Sequence, residues 1–316
     1  MARQVYDIII LGGGVSGIGC AIYSARFNLK TLLLTGRFGG LIQDTHLVEN
    51  YPGFASVSGL GLVEAFQKHL SNYKDVIDVK EEFAQDVKRT NDCFQIRTEK
   101  NTYEGLTIVF ATGTRRRKMD VPGEIEFTNK GVSYCATCDA PLTKKATTIV
   151  VGGSDSAAKE ALLLSEYSKK VHIVYRGEHI HPEPINMGRV NDKIKEGKIE
   201  IINNTNIKEI KGDKFVTHVV LDKPYNGSNE LKTDFVFVEI GHLVESGLAK
   251  KLGVKTDDHD QIITDKESRT NVPGIFAAGD VTDRAWKQAI TGVAEGSIAS
   301  NSAYEYVQEL KQKKKT

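Results

Sequence analysis

Residues 6–36 read YDIIILGGGVSGIGCAIYSARFNLKTLLLTG, and the parsing of this stretch decides the fold. A short apolar run leads into GGGVSG, a helical pattern follows, and a second apolar run, TLLL, closes the unit. Strand, glycine turn, helix and strand within about thirty residues is the opening of a dinucleotide-binding fold. The glycines fall in G-x-G-x-x-G register as Gly12, Gly14 and Gly17. Gly12 permits the tight turn, Gly14 lets the backbone approach a pyrophosphate, and Gly17 lets helix pack on strand. The second strand runs out at Thr35 and Gly36, where an acidic residue usually meets a ribose hydroxyl. That departure weakens a generic NAD reading and leaves FAD open.

The same grammar returns at residues 145–177, KATTIVVGGSDSAAKEALLLSEYSKKVHIVYRG. In register this second turn reads Gly152, Gly153, Ser154, then Ser156 and Ala157. Ser154 puts a side chain where backbone should approach phosphate, although Ser154, Asp155 and Ser156 can cap the helix. Arg176 is the one nearby guanidinium able to grip a 2′-phosphate, and Glu178 can instead accept ribose hydroxyls. A domain that keeps the fold and binds no nicotinamide stays open as an alternative. The expected class is α/β, with two Rossmann-like dinucleotide-binding domains. The final stretch, NVPGIFAAGDVTD and then RAWKQAITGVAEGSIASNSAYEYVQEL, reads as a strand ending in Gly-Asp and a long helix. That helix is expected to begin directly after the turn, with its first amides aimed at an anionic ligand.

Between the two glycine turns lies GVSYCATCDAPL, residues 131–142, with two residues separating Cys135 from Cys138. Zinc needs two further soft ligands at suitable spacing, and Cys20 and Cys93 are single, so no metal is expected. A redox dithiol is the remaining reading: two intervening residues let the sulfurs close a small ring, and exchange proceeds through a mixed disulfide. Asp139 is placed to take or give the proton as one thiol leaves, or to cap a helix.

Bulk properties narrow the class. A chain of 316 residues is long enough for two domains. With 42 basic and 41 acidic residues the net charge is +1, which gives no electrostatic case for nucleic acid or membrane as partner. The basic end KQKKKT reads as a solvated tail. No apolar run nears the roughly 20 residues a spanning helix needs. The amino terminus does not read as a secretory signal, and four cysteines do not make a disulfide scaffold, so a reducing cytoplasm is expected.

Taken in order, GGGVSG, LLLTG, VENYPG, ATG, CATCD, the second glycine turn, GIFAAGD and KQAITGVAEG resemble the low-molecular-weight thioredoxin reductases over essentially the whole chain. The resemblance implies a discontinuous FAD domain, residues 1–114 and 247–316, around a nicotinamide-type domain at 115–246 carrying the thiol pair. It implies FAD contacts at Gly12, Gly14, Gly17, Thr35, Gly36, Asn50, Thr112, Gly113, Asp280, Gln288 and Ala289. Leu41 stands where the family carries a glutamine. It implies Cys135, Cys138 and Asp139 as the catalytic set, with Cys138 the thiol nearer the flavin, and Gly152, Gly153, Ser154, Ser156, Ala157 and Arg176 on the donor side. A homodimer and a thioredoxin or glutaredoxin-like partner follow from the same resemblance. The departures gather on the donor side: GGSDSA replaces the family's glycine turn, Gly177 its second arginine, and His181 a later one. NADPH, NADH, reduced ferredoxin and a reduced deazaflavin therefore stay open as donors. A slow flavin-binding redox sensor is the alternative of another class.

Overall fold

The computed structural model describes residues 5–90 and 93–313. The first four residues and the last three of the basic tail lie outside the described residues. The chain divides into two compact units, residues 1–115 with 244–316, and residues 116–243.

The first unit is built on β1 (Val5–Leu11), β2 (Thr31–Leu34), β3 (Ile77–Lys80), β4 (Asp86–Arg89), β5 (Phe94–Arg97) and β6 (Thr102–Phe110), in the sheet order β3-β2-β1-β6-β5-β4. β1 lies parallel to both β2 and β6, a position buried on both faces, which is why it reads as a continuous apolar run. Ile8 and Ile10 point into one core, Ile9 and Leu11 into the other. β6 is shared along its length. Its first half pairs antiparallel with β5, and Ile108–Phe110 pair parallel with the strand Ile275–Ala277 from the far end of the chain.

Helix α1 (Val15–Arg26) packs along the C-terminal helix, Ala289–Lys313. The approach is close because small residues face each other. A Cβ added at Gly296 would stand 2.0 Å from the Ser16 carbonyl oxygen. The Ser24 and Ser300 hydroxyls, both buried, meet across the seam at 2.9 Å. Cys20 sits in this seam at 0% exposure, and burial pushes its thiol up to about 12, so it is inert. Helix α2 (Gly59–Leu70) is capped by the Ser58 hydroxyl, which accepts from the Gly61 amide.

The second unit repeats the design with a five-stranded parallel sheet, in the order Ile199–Ile202, Lys170–Val174, Thr147–Val151, Phe235–Val238 and Val132–Ser133. Helices α3 (Ala136–Asp139), α4 (Asp155–Tyr167) and α5 (Pro184–Lys195) belong to it, with an antiparallel three-stranded sheet, Ile207–Gly212, Val216–Tyr225 and Ser228–Lys232. The expected α/β class with two dinucleotide-binding folds is therefore what the chain adopts.

One expectation fails. The C-terminal helix does not start after Gly279–Asp280; it starts at Ala289, and residues 281–288 are irregular apart from a bridge at Thr282. The intervening backbone is held by side chains instead. Lys287 Nζ donates to the carbonyls of Asp280 and Thr282, each at 2.8 Å, and Glu295 accepts from the Gly279 amide at 2.8 Å.

Candidate active site

The thiol pair forms a disulfide, Cys135–Cys138, with Cα atoms 5.3 Å apart. Cys135 is half-buried and Cys138 exposed. Cys135 stands at the N-cap of α3, and the Cys138 amide donates to its Sγ at 3.2 Å. Two layers hold this short segment. The Cys135 amide donates to the Ser133 hydroxyl at 3.1 Å. Tyr134, next in the chain, donates from its hydroxyl to Glu124 at 2.7 Å. Glu124 is itself buried and accepts from the Met119 and Asp120 amides.

Beneath α3, the Ala136 amide donates to Glu160 Oε1 at 3.3 Å. Glu160 shares the Arg116 guanidinium with Glu239: Arg116 pairs closely with Glu239 and lies 3.9 Å from Glu160. Among the described residues, none makes a hydrogen bond to the buried Glu160 Oε2. Burial, and then the neighbouring Glu239 carboxylate, raise the Glu160 carboxyl well above the usual range. Sequence reading passed over this cluster because its three members come from separate segments of the chain. The alternative role of Asp139 as a helix cap is not realised. It ends α3 and stands before the 3₁₀ turn Ala140–Thr143 without a side-chain cap bond.

In the first unit the glycine turn has the anticipated geometry. Gly12 takes φ +110°, and a Cβ there would lie 2.2 Å from the Ala111 carbonyl oxygen; one at Gly17 would lie 1.8 Å from the Gly12 carbonyl oxygen. Gly14 differs. It is the N-cap of α1 without a side-chain cap bond, and a Cβ there would meet nothing within 4 Å. The turn thus leaves open space in front of helix amides, the cradle a pyrophosphate needs. Gly39, which the sequence reading did not single out, closes this cradle: its amide donates to the Gly13 carbonyl at 2.7 Å.

Asn50 and Gln288, 238 residues apart, are brought together with Asn50 Nδ2 3.0 Å from Gln288 Oε1. Ala289 follows as the first residue of the C-terminal helix. Thr112 donates to the Glu245 carbonyl at 2.7 Å, and Gly113 turns the chain at φ +61°. Thr35 is buried, and its hydroxyl accepts from the Arg37 amide. Asp280 stays half-buried with Lys287 bonded to its carbonyl. Burial lowers the Lys287 ammonium, and the Asp280 charge opposes that shift.

The donor-side residues are arranged otherwise than expected. Ser154 occupies the N-cap of α4 and makes no cap bond. Asp155 caps α5 instead: its carboxylate accepts from the Glu183 amide at 2.9 Å and from Asn186 Nδ2 at 2.8 Å. Burial alone would raise this carboxyl, but the bonds from Lys159, Asn186 and the Glu183 amide hold it below its ordinary value. Ser156 and Ala157 lie in the first turn of α4. The Tyr175 ring rests on Gly153 and Gly177, within 2.5 Å of where a Cβ on either would stand. Arg176 is exposed.

A disulfide across two intervening residues in one nucleotide-type unit, and an open glycine cradle in the other, are together the construction of a flavin-linked dithiol enzyme. The family described as pyridine nucleotide-disulphide oxidoreductase matches residues 6–296. The chain belongs to this family. It is an oxidoreductase acting on a disulfide. A thioredoxin reductase of Listeria monocytogenes is 39% identical over 98% of this chain and 96% of its own. The solved thioredoxin reductase of Lactococcus lactis superposes with a TM-score of 0.90 at 36% identity, covering 96% of this chain and 99% of that one. That of T. acidophilum gives 0.88 at 34%, covering 96% and 99%. Among the described residues, no helix is long and apolar enough to cross a membrane.

Proposed function

We propose that this oxidoreductase is a thioredoxin reductase, passing electrons from a bound FAD to Cys135–Cys138 and on to the disulfide of thioredoxin or a glutaredoxin-like protein. The observation that carries the reading is the Cys135–Cys138 disulfide, exposed at Cys138 and braced from below by Glu124 and Glu160. When bound, a flavin supplies two-electron chemistry to a disulfide. The residues that would hold it are the cradle Gly12, Gly14 and Gly17, with Thr35, Gly36, Asn50, Thr112, Gly113, Asp280, Gln288 and Ala289; the open space at Gly14 fits a pyrophosphate.

On the protein side, two electrons and two protons break the Cys135–Cys138 bond and leave two thiols. Asp139 gives and takes the proton at Cys138, the thiol on the flavin side. The Cys138 amide, aimed at Cys135 Sγ, favours the thiolate there. That thiolate attacks one sulfur of the partner disulfide and expels the other as a thiolate. Cys138 then attacks the mixed disulfide, restoring the Cys135–Cys138 bond and releasing the partner as a dithiol. The enzyme works as a homodimer in a reducing cytoplasm.

NADPH or NADH is the donor in the first reading, held by Gly152, Gly153, Ser154, Ser156, Ala157 and Arg176. A second reading keeps the acceptor and makes reduced ferredoxin the donor. It is favoured by the Tyr175 ring against Gly153 and Gly177, and by Asp155 being committed to α5. Losing one charge-assisted contact to phosphate costs about 1.5–3 kcal/mol, or more than tenfold in affinity. Anaerobic titration separates them: bleaching of bound FAD by NADPH or NADH supports the first, and bleaching by reduced ferredoxin alone supports the second. Cys138→Ser is expected to abolish thioredoxin reduction with FAD retained, and full activity in that variant would refute the dithiol role.

A further inference from the structure

Phe83 is a large apolar side chain left 71% exposed, and it stands where the first glycine unit lacks its usual polar contact. It lies in the loop between β3 and β4. A Cβ built at Gly36 would meet Phe83 Cζ at 1.8 Å and both Cε atoms at 2.1 Å. The near-equal distances to Cζ and its two flanking carbons put that point over the ring face, not beyond its edge. The ring is therefore laid flat on the Gly36 backbone, directly after β2, and most of the residue's surface stays open to water. Any side chain at position 36 would displace it.

The loop presenting this ring is fixed on both sides. Next to it, Glu82 accepts from the hydroxyls of Thr98 at 2.5 Å and Tyr103 at 3.0 Å, and from Asn101 Nδ2 at 3.0 Å. These bonds, the Thr98 one foremost, lower its carboxyl. Two residues on, the Gln85 amide donates to the Arg97 carbonyl at 2.8 Å, and Arg97 Nη1 reaches Gln85 Oε1 at 3.3 Å. An exposed phenyl gains nothing from water, and here it is held rigidly at the carboxyl end of the second strand. In a strand–glycine–helix–strand unit, that end receives the adenosine half of a dinucleotide.

We propose that Phe83 is the adenine platform of the flavin site, replacing by stacking the contact that an acidic residue at position 35 or 36 would make to the ribose. The inference rests on the flavoprotein reading above and names a residue that reading does not include. Aromatic faces stack on any base without hydrogen-bond readout, each base contributing about 1–3 kcal/mol by alanine substitution. At 1.4 kcal/mol per tenfold, Phe83→Ala should weaken FAD binding by roughly 5- to 100-fold.

FMN carries the same ring system without adenosine, so it is the internal control. The full chain is deflavinated and titrated with FAD and with FMN, following flavin fluorescence, for the unaltered protein, Phe83→Ala and Phe83→Tyr. The expected result is a loss of FAD affinity in Phe83→Ala, FMN affinity unchanged within about twofold, and FAD affinity restored in Phe83→Tyr. Because Phe83 is exposed, thermal melts of the apo variants should match the unaltered chain. Equal weakening of FAD and FMN, or unchanged FAD binding in Phe83→Ala, overturns the platform and leaves the flavoprotein reading standing. No FAD uptake by the unaltered chain overturns both.

Discussion

Gly14 and Gly12 stand two residues apart in one turn, yet replacing each by alanine should fail in opposite ways. At Gly14 the backbone is extended, with φ −73° and ψ −175°, and a Cβ meets nothing within 4 Å. Alanine is therefore compatible with the fold, and the lower entropy of the unfolded chain adds about 0.4–1 kcal/mol of stability. At about 2–4 °C per kcal/mol for a domain of this size, apo Gly14→Ala should melt at the same temperature or slightly above it. The added methyl, however, projects into the space a pyrophosphate would fill. Loss of one or two charge-assisted hydrogen bonds there, about 1.5–3 kcal/mol each, lowers FAD affinity by roughly ten- to ten-thousandfold. At Gly12 the φ of +110° and a contact of 2.2 Å with the Ala111 carbonyl oxygen leave alanine nowhere to go. Gly12→Ala should cost several kcal/mol, on the order of 3 or more, in the apo protein itself. The assay is a thermal melt of both deflavinated variants, followed by FAD titration of Gly14→Ala. FAD binding at unaltered affinity by Gly14→Ala would refute the assignment of the cradle.

Glu160→Gln tests the buried carboxyl under the disulfide. A carboxyl whose folded pKa is raised keeps its proton in the fold and loses it in the unfolded chain once pH passes the ordinary glutamate value of about 4.3. Stability is therefore full below that value and declines as pH rises toward the folded pKa. Melting temperatures across pH 4 to 8 should fall in the unaltered protein by a component missing from Glu160→Gln, and parallel curves would show that Glu160 is ionised in the fold. Gly296→Val should force α1 off the C-terminal helix, with its Cβ 2.0 Å from the Ser16 carbonyl. We expect a loss of about 3 kcal/mol or more by overpacking and backbone shift, read by urea unfolding; a loss below about 1 kcal/mol would mean that the seam yields readily.

The two βαβ openings were legible because each rests on local grammar: continuous apolar strands, glycines in register and a helix between them. The thiol pair was legible from spacing alone. What escaped depends on groups meeting across the chain. The start of the last helix was misplaced because Lys287 and Glu295 tie the preceding turns through carbonyls and an amide, bonds that no periodicity encodes. Asp155 was read as a cap for the helix it begins, since nothing in GGSDSA announces that its carboxylate turns to the first turn of α5. Arg116, Glu160 and Glu239 lie on three separate segments, and no motif links them before the chain folds. Asn50 and Gln288 were named from resemblance, and only folding brings them to 3.0 Å.

The division of β6 between β5 and the strand Ile275–Ala277 has a consequence for how the polypeptide matures. During synthesis the amino-terminal sheet leaves the ribosome lacking its last parallel strand and the helix that covers the small-residue face of α1. The inserted unit is complete once Leu243 has emerged. At about 5–20 residues per second, the amino-terminal half waits several seconds with that face uncovered while the insert already has all of its strands. A released chain truncated after residue 260 should therefore hold a protease-resistant centre flanked by a digestible beginning.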